Sequence, residues 1–270
     1  MWAKGALLWM ILLCTGLASA APAPRSGAAI QVLTAIGTHF DAYVAGPEDA
    51  TAGILLLHDR FGLDAYTLDL ADRFAKAGYR VLVPDLFDGR RNEDPEDAAL
   101  MTGAIDPIWN DINTRAGLAY LRAPGRKLAV VGYGYGGTAA MNAPVIAPSD
   151  MAAVVNYYGN VPGDMRGVQP LQAPVMGIFS RQESPVSSAR VENFENAMRQ
   201  LKRGVAIVWT EAAPGFAHPG YDGFDEGAEQ TAWRRAMEFL AETVPVGGSL
   251  SPPGSEEVPA EPEAVSPEQP

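Results

Sequence analysis

The sequence KLAVVGYGYGGTAA occupies residues 127–140 and joins an apolar run to a cluster of glycines. The apolar run at 128–131 predicts a buried strand, and the glycines predict a very tight turn. Small residues follow the turn, so the helix predicted after it can lie close to the sheet. We interpret 127–140 as a strand, a turn and a helix around which the fold is organised.

The spacing of these glycines is that of a nucleophile elbow, in which a reactive residue stands between two outer glycines. Gly132 and Gly136 take the outer positions, where a Cβ atom would obstruct the close approach of backbone and helix. The central position, which should hold serine or cysteine, is Gly134. The sequence therefore predicts a turn that is kept while its reactive atom is missing.

Composition limits the class of protein. The chain has 270 residues, of which 47% are hydrophobic, and this is ample for one large domain with a core. Its formal net charge is −12. An acidic chain repels phosphate backbones and anionic lipids, which argues against nucleic-acid binding.

The first twenty residues have the pattern of a secretory signal. Lys4 precedes an apolar run at 6–17, and Ala18-Ser19-Ala20 supplies a small-residue cleavage site. The run is shorter than the roughly 20 residues that a membrane span needs, so we expect cleavage after Ala20 rather than an uncleaved anchor. We expect export to the periplasm or the medium, with no stable membrane span afterwards. The only cysteine, Cys14, lies inside this segment, so the mature protein would have no thiol.

The opposite end of the chain has a different composition. Residues 245–270 are rich in proline, glutamate and serine and have few large apolar side chains. Such a segment buries too little surface to offset its ordering entropy, so we predict a disordered acidic tail. The folded domain is then expected over residues 28–244.

Between these ends, apolar runs alternate with segments of helical spacing. We predict an initial β-hairpin, a mostly parallel sheet and helices on both of its faces, which is a doubly wound α/β fold. The predicted strands are 30–33, 40–44, 54–57, 80–84, 128–131, 153–157, 175–179 and 205–209, and the main predicted helices are 67–77, 95–121 with a break near Pro107, 188–201 and 226–243.

Four stretches, in order, resemble motifs of the dienelactone hydrolase family. They are LHDRFG at 57–62, AGYRVLVPDLF at 77–87, VGYGYGG at 131–137, and GFA at 215–217 followed by AWRR at 232–235. The resemblance covers about 30–243 and implies an α/β-hydrolase fold. It also implies a reaction in which a cysteine opens a lactone or ester, a histidine held by an aspartate moves the proton, and backbone N–H groups stabilise the oxyanion.

The catalytic residues of that family do not carry over to this chain. The nucleophile position is Gly134, which has no side chain. The acid position is Glu183, which could still orient a histidine. The histidine position is Pro214, which has no acid–base group. The resemblance therefore implies a degenerate triad.

Other family positions are kept. Asp59 matches an acid near the nucleophile, and it is either a pocket-lining acid or a solvated loop residue paired with Arg60. The backbone N–H groups of Arg60 and Tyr135 match the oxyanion donors and are independent of side-chain changes. We expect them to stay available to a small ester, lactone or carboxylate.

Two histidines bear on the function of the predicted site. His218 is either an alternative base, which needs an insertion in its loop, or a surface histidine beside Pro219. His58 follows an apolar run and is interpreted as a buried structural histidine. Arg90 and Arg91 are interpreted as a solvated pair.

No metal or cofactor is predicted. Acidic residues show no metal-ligand spacing, the histidines are far apart in sequence, and the GYGYGG match to a dinucleotide motif lacks its ribose-binding acid.

Two hypotheses about function follow from the sequence. The first is a non-catalytic relative that binds a small carbonyl or carboxylate compound or a protein partner. The second is a hydrolase that uses His218 with Thr138 or a water, and it requires a histidine near a hydroxyl above Tyr135. The sequence predicts no oligomeric state.

Overall fold

A computed structural model describes residues 25–148, 151–182 and 184–247. Its strands are β1 (Ala28–Leu33), β2 (His39–Ala45), β3 (Ala52–Leu57), β4 (Arg80–Pro84), β5 (Lys127–Tyr133), β6 (Ala153–Tyr157), β7 (Val175–Ser180) and β8 (Val205–Thr210). They form one sheet in the order β1-β2-β4-β3-β5-β6-β7-β8. The β1–β2 and β2–β4 pairs are antiparallel and the remaining pairs are parallel. The predicted hairpin and mostly parallel sheet are confirmed.

Helices cover both faces of this sheet. They are α1 (Ala65–Lys76), α2 (Pro95–Gly103), α3 (Pro107–Leu121), α4 (Tyr135–Ile146), α5 (Met165–Val168), α6 (Ser188–Gln200) and α7 (Glu226–Thr243). Residues of α1 and α7 pack into one apolar core, and residues of α3 to α6 pack into the other. The predicted doubly wound architecture is therefore confirmed. The four-residue α5 was not predicted, because so short a helix has no periodicity to detect.

The helical region at 95–121 is divided into two helices at Pro107, as the sequence predicted. Pro107 is the first residue of α3, and the side chain of Asp106 accepts a hydrogen bond from the N–H of Ile108. A proline fits the first turn of a helix because its missing N–H would have no partner there. The same proline cannot continue α2, so the two helices are separate.

The central strands fix the position of the loops. Every residue of β3 and all but the first residue of β5 are buried, as expected for strands covered on both faces. Parallel strands bring their carboxyl ends to one edge of the sheet, where ligands bind in open α/β folds. The loops after β3, β5 and β8 therefore meet at this edge.

Several predicted features fall outside the described residues. These are the signal segment at 1–20 with Cys14, the acid position Glu183, and the tail beyond Gly247. The start of the tail does contact the domain, since Val246 packs against its core and the N–H of Gly247 donates to Thr51 Oγ1 at 2.6 Å. Within the described ranges, no helix is long and apolar enough to cross a membrane.

Candidate active site

The turn after β5 has the geometry of an elbow. Gly134 precedes α4 with φ +48° and ψ −106°, a backbone conformation that side chains disfavour. Its N–H donates to the carbonyl of Tyr157 at 2.9 Å, and its own carbonyl accepts from the N–H of Thr138 at 3.0 Å. The predicted strand, turn and helix are confirmed, and the turn is held by bonds to the neighbouring strand and to the helix.

The outer glycines are required by close packing. A Cβ atom on Gly132 would lie 2.1 Å from the carbonyl oxygen of Gly136, and a Cβ on Gly136 would lie 2.2 Å from that of Leu57. Both neighbours are backbone atoms, so they cannot rotate away. This explains why the two positions hold glycine although residue 134 between them carries no reactive side chain.

The space beside Gly134 is filled by a carboxylate from the loop after β3. A Cβ atom on Gly134 would lie 2.2 Å from Asp59 Oδ1 and 2.6 Å from both Cγ and Oδ2 of the same residue. Real Cβ atoms do not approach other heavy atoms so closely. The side chain of Asp59 thus occupies the volume into which the side chain of a nucleophile at 134 would project.

Asp59 also binds the two N–H groups that the resemblance assigns as oxyanion donors. The N–H of Arg60 donates to Asp59 Oδ1 at 2.7 Å, and the N–H of Tyr135 donates to the same oxygen at 3.2 Å. The residue is only 1% exposed, so the interpretation of Asp59 as a solvated loop residue is wrong. The expectation that the two N–H groups stay available is not met, since an internal carboxylate binds them.

Tyr221 completes the environment of this carboxylate. Its hydroxyl donates to Asp59 Oδ2 at 3.0 Å, and the Arg60 guanidinium lies 4.9 Å from the centre of its ring. Burial, and then the charge of Asp59, raise the pKa of Tyr221, so the hydroxyl remains a donor at neutral pH. Tyr221 could not be predicted from the sequence, since it lies in no motif and 162 residues separate it from its partner.

The same tyrosine packs beside Pro214, the position that the resemblance assigns to the histidine. Pro214 is half-buried and precedes Gly215, whose φ is +81°. A Cβ on Gly215 would lie 2.5 Å from Cγ of Tyr221, so the tyrosine ring lies directly against this turn. The carboxylate of Asp59 therefore lies where a side chain at residue 134 would project, and the ring of Tyr221 lies next to Pro214.

His218 is buried and not on the surface, so its interpretation as a surface loop residue is wrong. It is 3% exposed and stacks on Phe61 with ring centres 4.4 Å apart. Its Nδ1 accepts from the N–H of Gly220 at 3.0 Å, which places the proton on Nε2. Nε2 is buried and lies 3.2 Å from Asp64 Oδ2, within ion-pair distance.

The hydrolase hypothesis needs a histidine next to a hydroxyl, and the described residues do not supply that contact. Both ring nitrogens of His218 face other groups, as given above. The Thr138 hydroxyl donates to the carbonyl of Gly134 at 3.2 Å and accepts from the N–H of Asn160 at 2.9 Å. In these hydrogen bonds Thr138 and His218 are not partners of each other.

The contact between His218 and Asp64 has a consequence for acid stability. Burial raises the pKa of Asp64, but the His218 side chain and the hydrogen bond from Thr67 outweigh burial and hold it below its ordinary 3.8. A carboxyl with a lowered pKa in the folded state stabilises the fold at pH above 3.8. This stabilisation disappears as the pH falls through the lower, folded-state pKa.

We therefore predict that the melting temperature of Asp64→Asn falls less than that of the wild type between pH 7 and pH 3. Asparagine can still accept the N-cap hydrogen bond from Thr67, so the helix terminus is matched in the two proteins. The measurement is a pair of thermal melts at each pH. Equal losses in the two proteins would contradict the stabilising role of the Asp64 charge.

His58 is confirmed as a buried structural histidine. Its Nδ1–H donates to the carbonyl of Asp59 at 2.9 Å, and its Nε2 accepts from the N–H of Leu86 at 2.9 Å. Burial lowers its pKa, which keeps the ring neutral and fits this pair of bonds. The ring therefore holds the backbone of Asp59 against the end of β4.

Arg90 and Arg91 are exposed, as predicted for a solvated pair. Arg90 Nε donates to the carbonyl of Phe87 at 2.9 Å, and the residue lines an outer cleft of about 380 Å³ together with Trp109.

No group of three or more histidine, cysteine or acidic side chains in the described ranges could hold a metal ion.

Comparison with known proteins places this geometry in a family. Residues 40–244 match the model of the dienelactone hydrolase family. A Salmonella typhi protein named "Putative carboxymethylenebutenolidase" is 25% identical over 239 residues, which cover 80% of this chain and 87% of that protein. Protein usf of Aquifex pyrophilus is 24% identical over 220 residues, which cover 76% of this chain and 94% of that protein.

Solved structures agree on the fold. Dienelactone hydrolase from Anabaena variabilis superposes with a TM-score of 0.61 at 20% identity, covering 81% of this chain and 98% of that structure. The dienelactone hydrolase-like phosphotriesterase P91 superposes with a TM-score of 0.68 at 19% identity, covering 81% and 99%. The predicted α/β-hydrolase fold is thereby confirmed. Because the family model spans the sheet from β2 onward, the elbow and α7, the chain belongs to the dienelactone hydrolase family.

Proposed function

We propose that this protein is an exported, non-hydrolytic member of its family, in which the carboxylate of Asp59 stands in place of the nucleophile. The observation that supports this proposal is the 2.2 Å separation between Asp59 Oδ1 and the Cβ position of residue 134. Cysteine or serine cannot be accommodated there without moving Asp59. Export rests on residues 1–20, and a mature protein that stays in the cytoplasm would contradict it; an exported protein whose intact mass still includes these residues would contradict cleavage after Ala20.

Ester hydrolysis at an elbow needs a nucleophile, a base and a vacant oxyanion hole. Here the first two positions are Gly134 and Pro214. The donors of the third are bound by Asp59. Asp59 is itself unsuited to attack an ester carbonyl, because its own Oδ1 occupies the donors that would stabilise the resulting oxyanion.

We propose that any ligand of this site is a small carboxylate, ester or lactone. The carboxyl group of Asp59 has the size and charge of a small carboxylate and presents a carbonyl-type oxygen as an ester or lactone does, and it is bound by two N–H groups and one hydroxyl. An external carboxylate would need the same donors and must displace Asp59. Ligand binding in the wild type is therefore expected to be weaker than in a protein without that side chain.

The decisive experiment combines turnover with binding. We expect no hydrolysis of small esters or lactones above background by the wild type, and we expect Asp59→Ala to bind acetate or benzoate more tightly than the wild type. At 100 times its dissociation constant, a ligand adds about 2.7 kcal/mol to the free energy of unfolding, which a thermal melt detects.

Two results would overturn these proposals. Wild-type turnover that His218→Ala abolishes would establish the alternative hydrolase, with His218 as its base. An Asp59→Ala protein that folds but shows no shift with any carboxylate or lactone would remove the support for a carboxylate site. Asp59→Asn is the matched control, because its amide fills the same volume.

A further inference from the structure

The last strand of the sheet has an uncovered edge. In β8 the sequence VAIVWT contains no charged residue and no proline, and all six residues are partly exposed. The sheet ends at β8, and in the described ranges no strand lies beyond it. The opposite edge, β1, differs because its exposed residues include the small Ala28 and Ala29 and the polar Gln31.

The hydrogen bonds to β7 show which groups of β8 face outward. The carbonyl of Gly204 accepts from the N–H of Val175 at 3.0 Å, and the carbonyl of Thr210 accepts from the N–H of Arg181 at 2.8 Å. Alternate residues of a parallel strand bond to the same neighbour. Residues 204, 206, 208 and 210 therefore face β7, and the N–H and C=O groups of 205, 207 and 209 point away from the sheet.

Such an edge is unusual in a monomer. Natural edge strands are protected by lysine, proline, bulges or a covering element, because an open ladder pairs with other chains. β8 contains no lysine and no proline, and its register with β7 runs without a break from Val205 to Thr210, so it has no bulge there. An open cleft of about 440 Å³ runs between β8 and α7, lined in part by Val208, Ala212 and Ala228, so α7 leaves apolar surface beside the strand.

We propose that β8 pairs with β8 of a second copy of this chain, antiparallel about a two-fold axis at Ile207. Ile207 then lies opposite itself, and Val205 lies opposite Trp209 of the second copy. All three outward-facing residues meet their counterparts, which forms about six backbone hydrogen bonds. A two-fold axis makes the same patch serve both copies, as in most soluble dimers.

Charge favours this antiparallel pairing. Exposed Lys202 and half-buried Arg203 precede β8, and exposed Glu211, whose carboxylate also lies 3.5 Å from Arg181 of the same chain, follows it. In the register centred on Ile207, residue 203 of one copy faces Glu211 of the other at both ends of the interface. Arg203 already donates to three backbone carbonyls, so Lys202 is the cation with the greater freedom to reach Glu211.

Sedimentation velocity tests the proposed interface. We expect a wild-type dimer at micromolar concentration. Ile207→Lys, which brings two lysines together on the axis, should weaken the dimer at least about tenfold, or 1.4 kcal/mol. Leu33→Lys places the same change on the exposed end of β1 and should leave the dimer intact. A monomeric wild type, or dissociation by Leu33→Lys but not by Ile207→Lys, would overturn the proposal.

A cysteine variant tests the register. In a Cys14→Ser background the chain has no other thiol. Ile207→Cys would meet its own copy at a Cα separation of about 5.5 Å, within the range that a disulfide spans, and should form a covalent dimer under mild oxidation. Val205→Cys would face Trp209 and should cross-link far less. Equal cross-linking of both variants contradicts the register, and thermal melts verify that each variant is folded.

Discussion

Gly134→Ala should lower the free energy of unfolding by roughly 3–5 kcal/mol, although it adds a single methyl group. Two costs combine. A side chain in the backbone conformation of Gly134 is strained by about 1–3 kcal/mol. The new Cβ also meets Asp59 Oδ1 at 2.2 Å, so the carboxylate must leave its place. Its departure leaves buried donors without partners, at about 1–3 kcal/mol each.

Gly37→Ala is the matched control for this prediction. Gly37 also has a positive φ, +85°, but a Cβ there would meet no atom within 4 Å. It therefore reports the backbone strain alone, about 1–2 kcal/mol. Chemical denaturation of the two variants gives the difference that is due to Asp59. Equal destabilisation of the two would contradict the crowding of the elbow by Asp59.

A double-mutant cycle then assigns the effect to the carboxylate. Asp59→Ala removes the three atoms that lie nearest to the new methyl group. The combination of Asp59→Ala with Gly134→Ala should therefore cost less than the sum of the two single changes. For residues in contact, this coupling is typically about 0.5–3 kcal/mol. If the two costs are additive, the destabilisation by Gly134→Ala does not arise from contact with Asp59.

The features that the sequence predicted well depend on local patterns. The helix at Glu226–Thr243 follows from the helical spacing of its apolar residues. The break at Pro107 follows from the chemistry of one residue. The elbow follows from glycines whose close contacts are made within a few residues or with the adjacent strand. In each case the determining interactions are short-range in sequence or are repeated along it.

The contents of the site could not be predicted in this way. The bond between Asp59 and Tyr221 joins loops 162 residues apart, and neither residue type indicates the other. His218 lies beside Pro219 and Gly220, which favoured an exposed loop. It is buried because the loop folds over Phe61 and Tyr66, whose rings are within 5 Å of its own. Such contacts are set by how loops from distant strands meet at one edge.

The largest effect on activity is expected when a nucleophile and a base are introduced at the elbow together with the space that the nucleophile needs. We predict that Asp59→Ala, Gly134→Cys and Pro214→His in one protein will hydrolyse small activated esters measurably above background. Gly134→Cys alone should not. Its thiol would collide with Asp59, and without a base it stays mostly protonated near pKa 8.5.

Each of the three changes supplies a different requirement. Asp59→Ala frees the N–H groups of Arg60 and Tyr135 for the oxyanion, and one such donor is typically worth about 10²–10³-fold in rate. Pro214→His supplies a base, and proton transfer contributes about 10²–10⁴-fold. Because members of a triad act as a unit, the gain should be strongly non-additive, and two of the three changes should show little of it.

The matched control replaces Pro214 by glutamine in the same double-mutant background, which provides a polar side chain without a base. Burst kinetics with a chromogenic ester separate acylation of Cys from hydrolysis of the acyl-enzyme. Restored turnover in the histidine variant alone would establish that the fold retains a working oxyanion site beneath Asp59. Equal rates with histidine and glutamine would show that residue 214 does not reach the elbow. Tyr221, whose ring lies against Gly215, would then be the side chain that excludes the base.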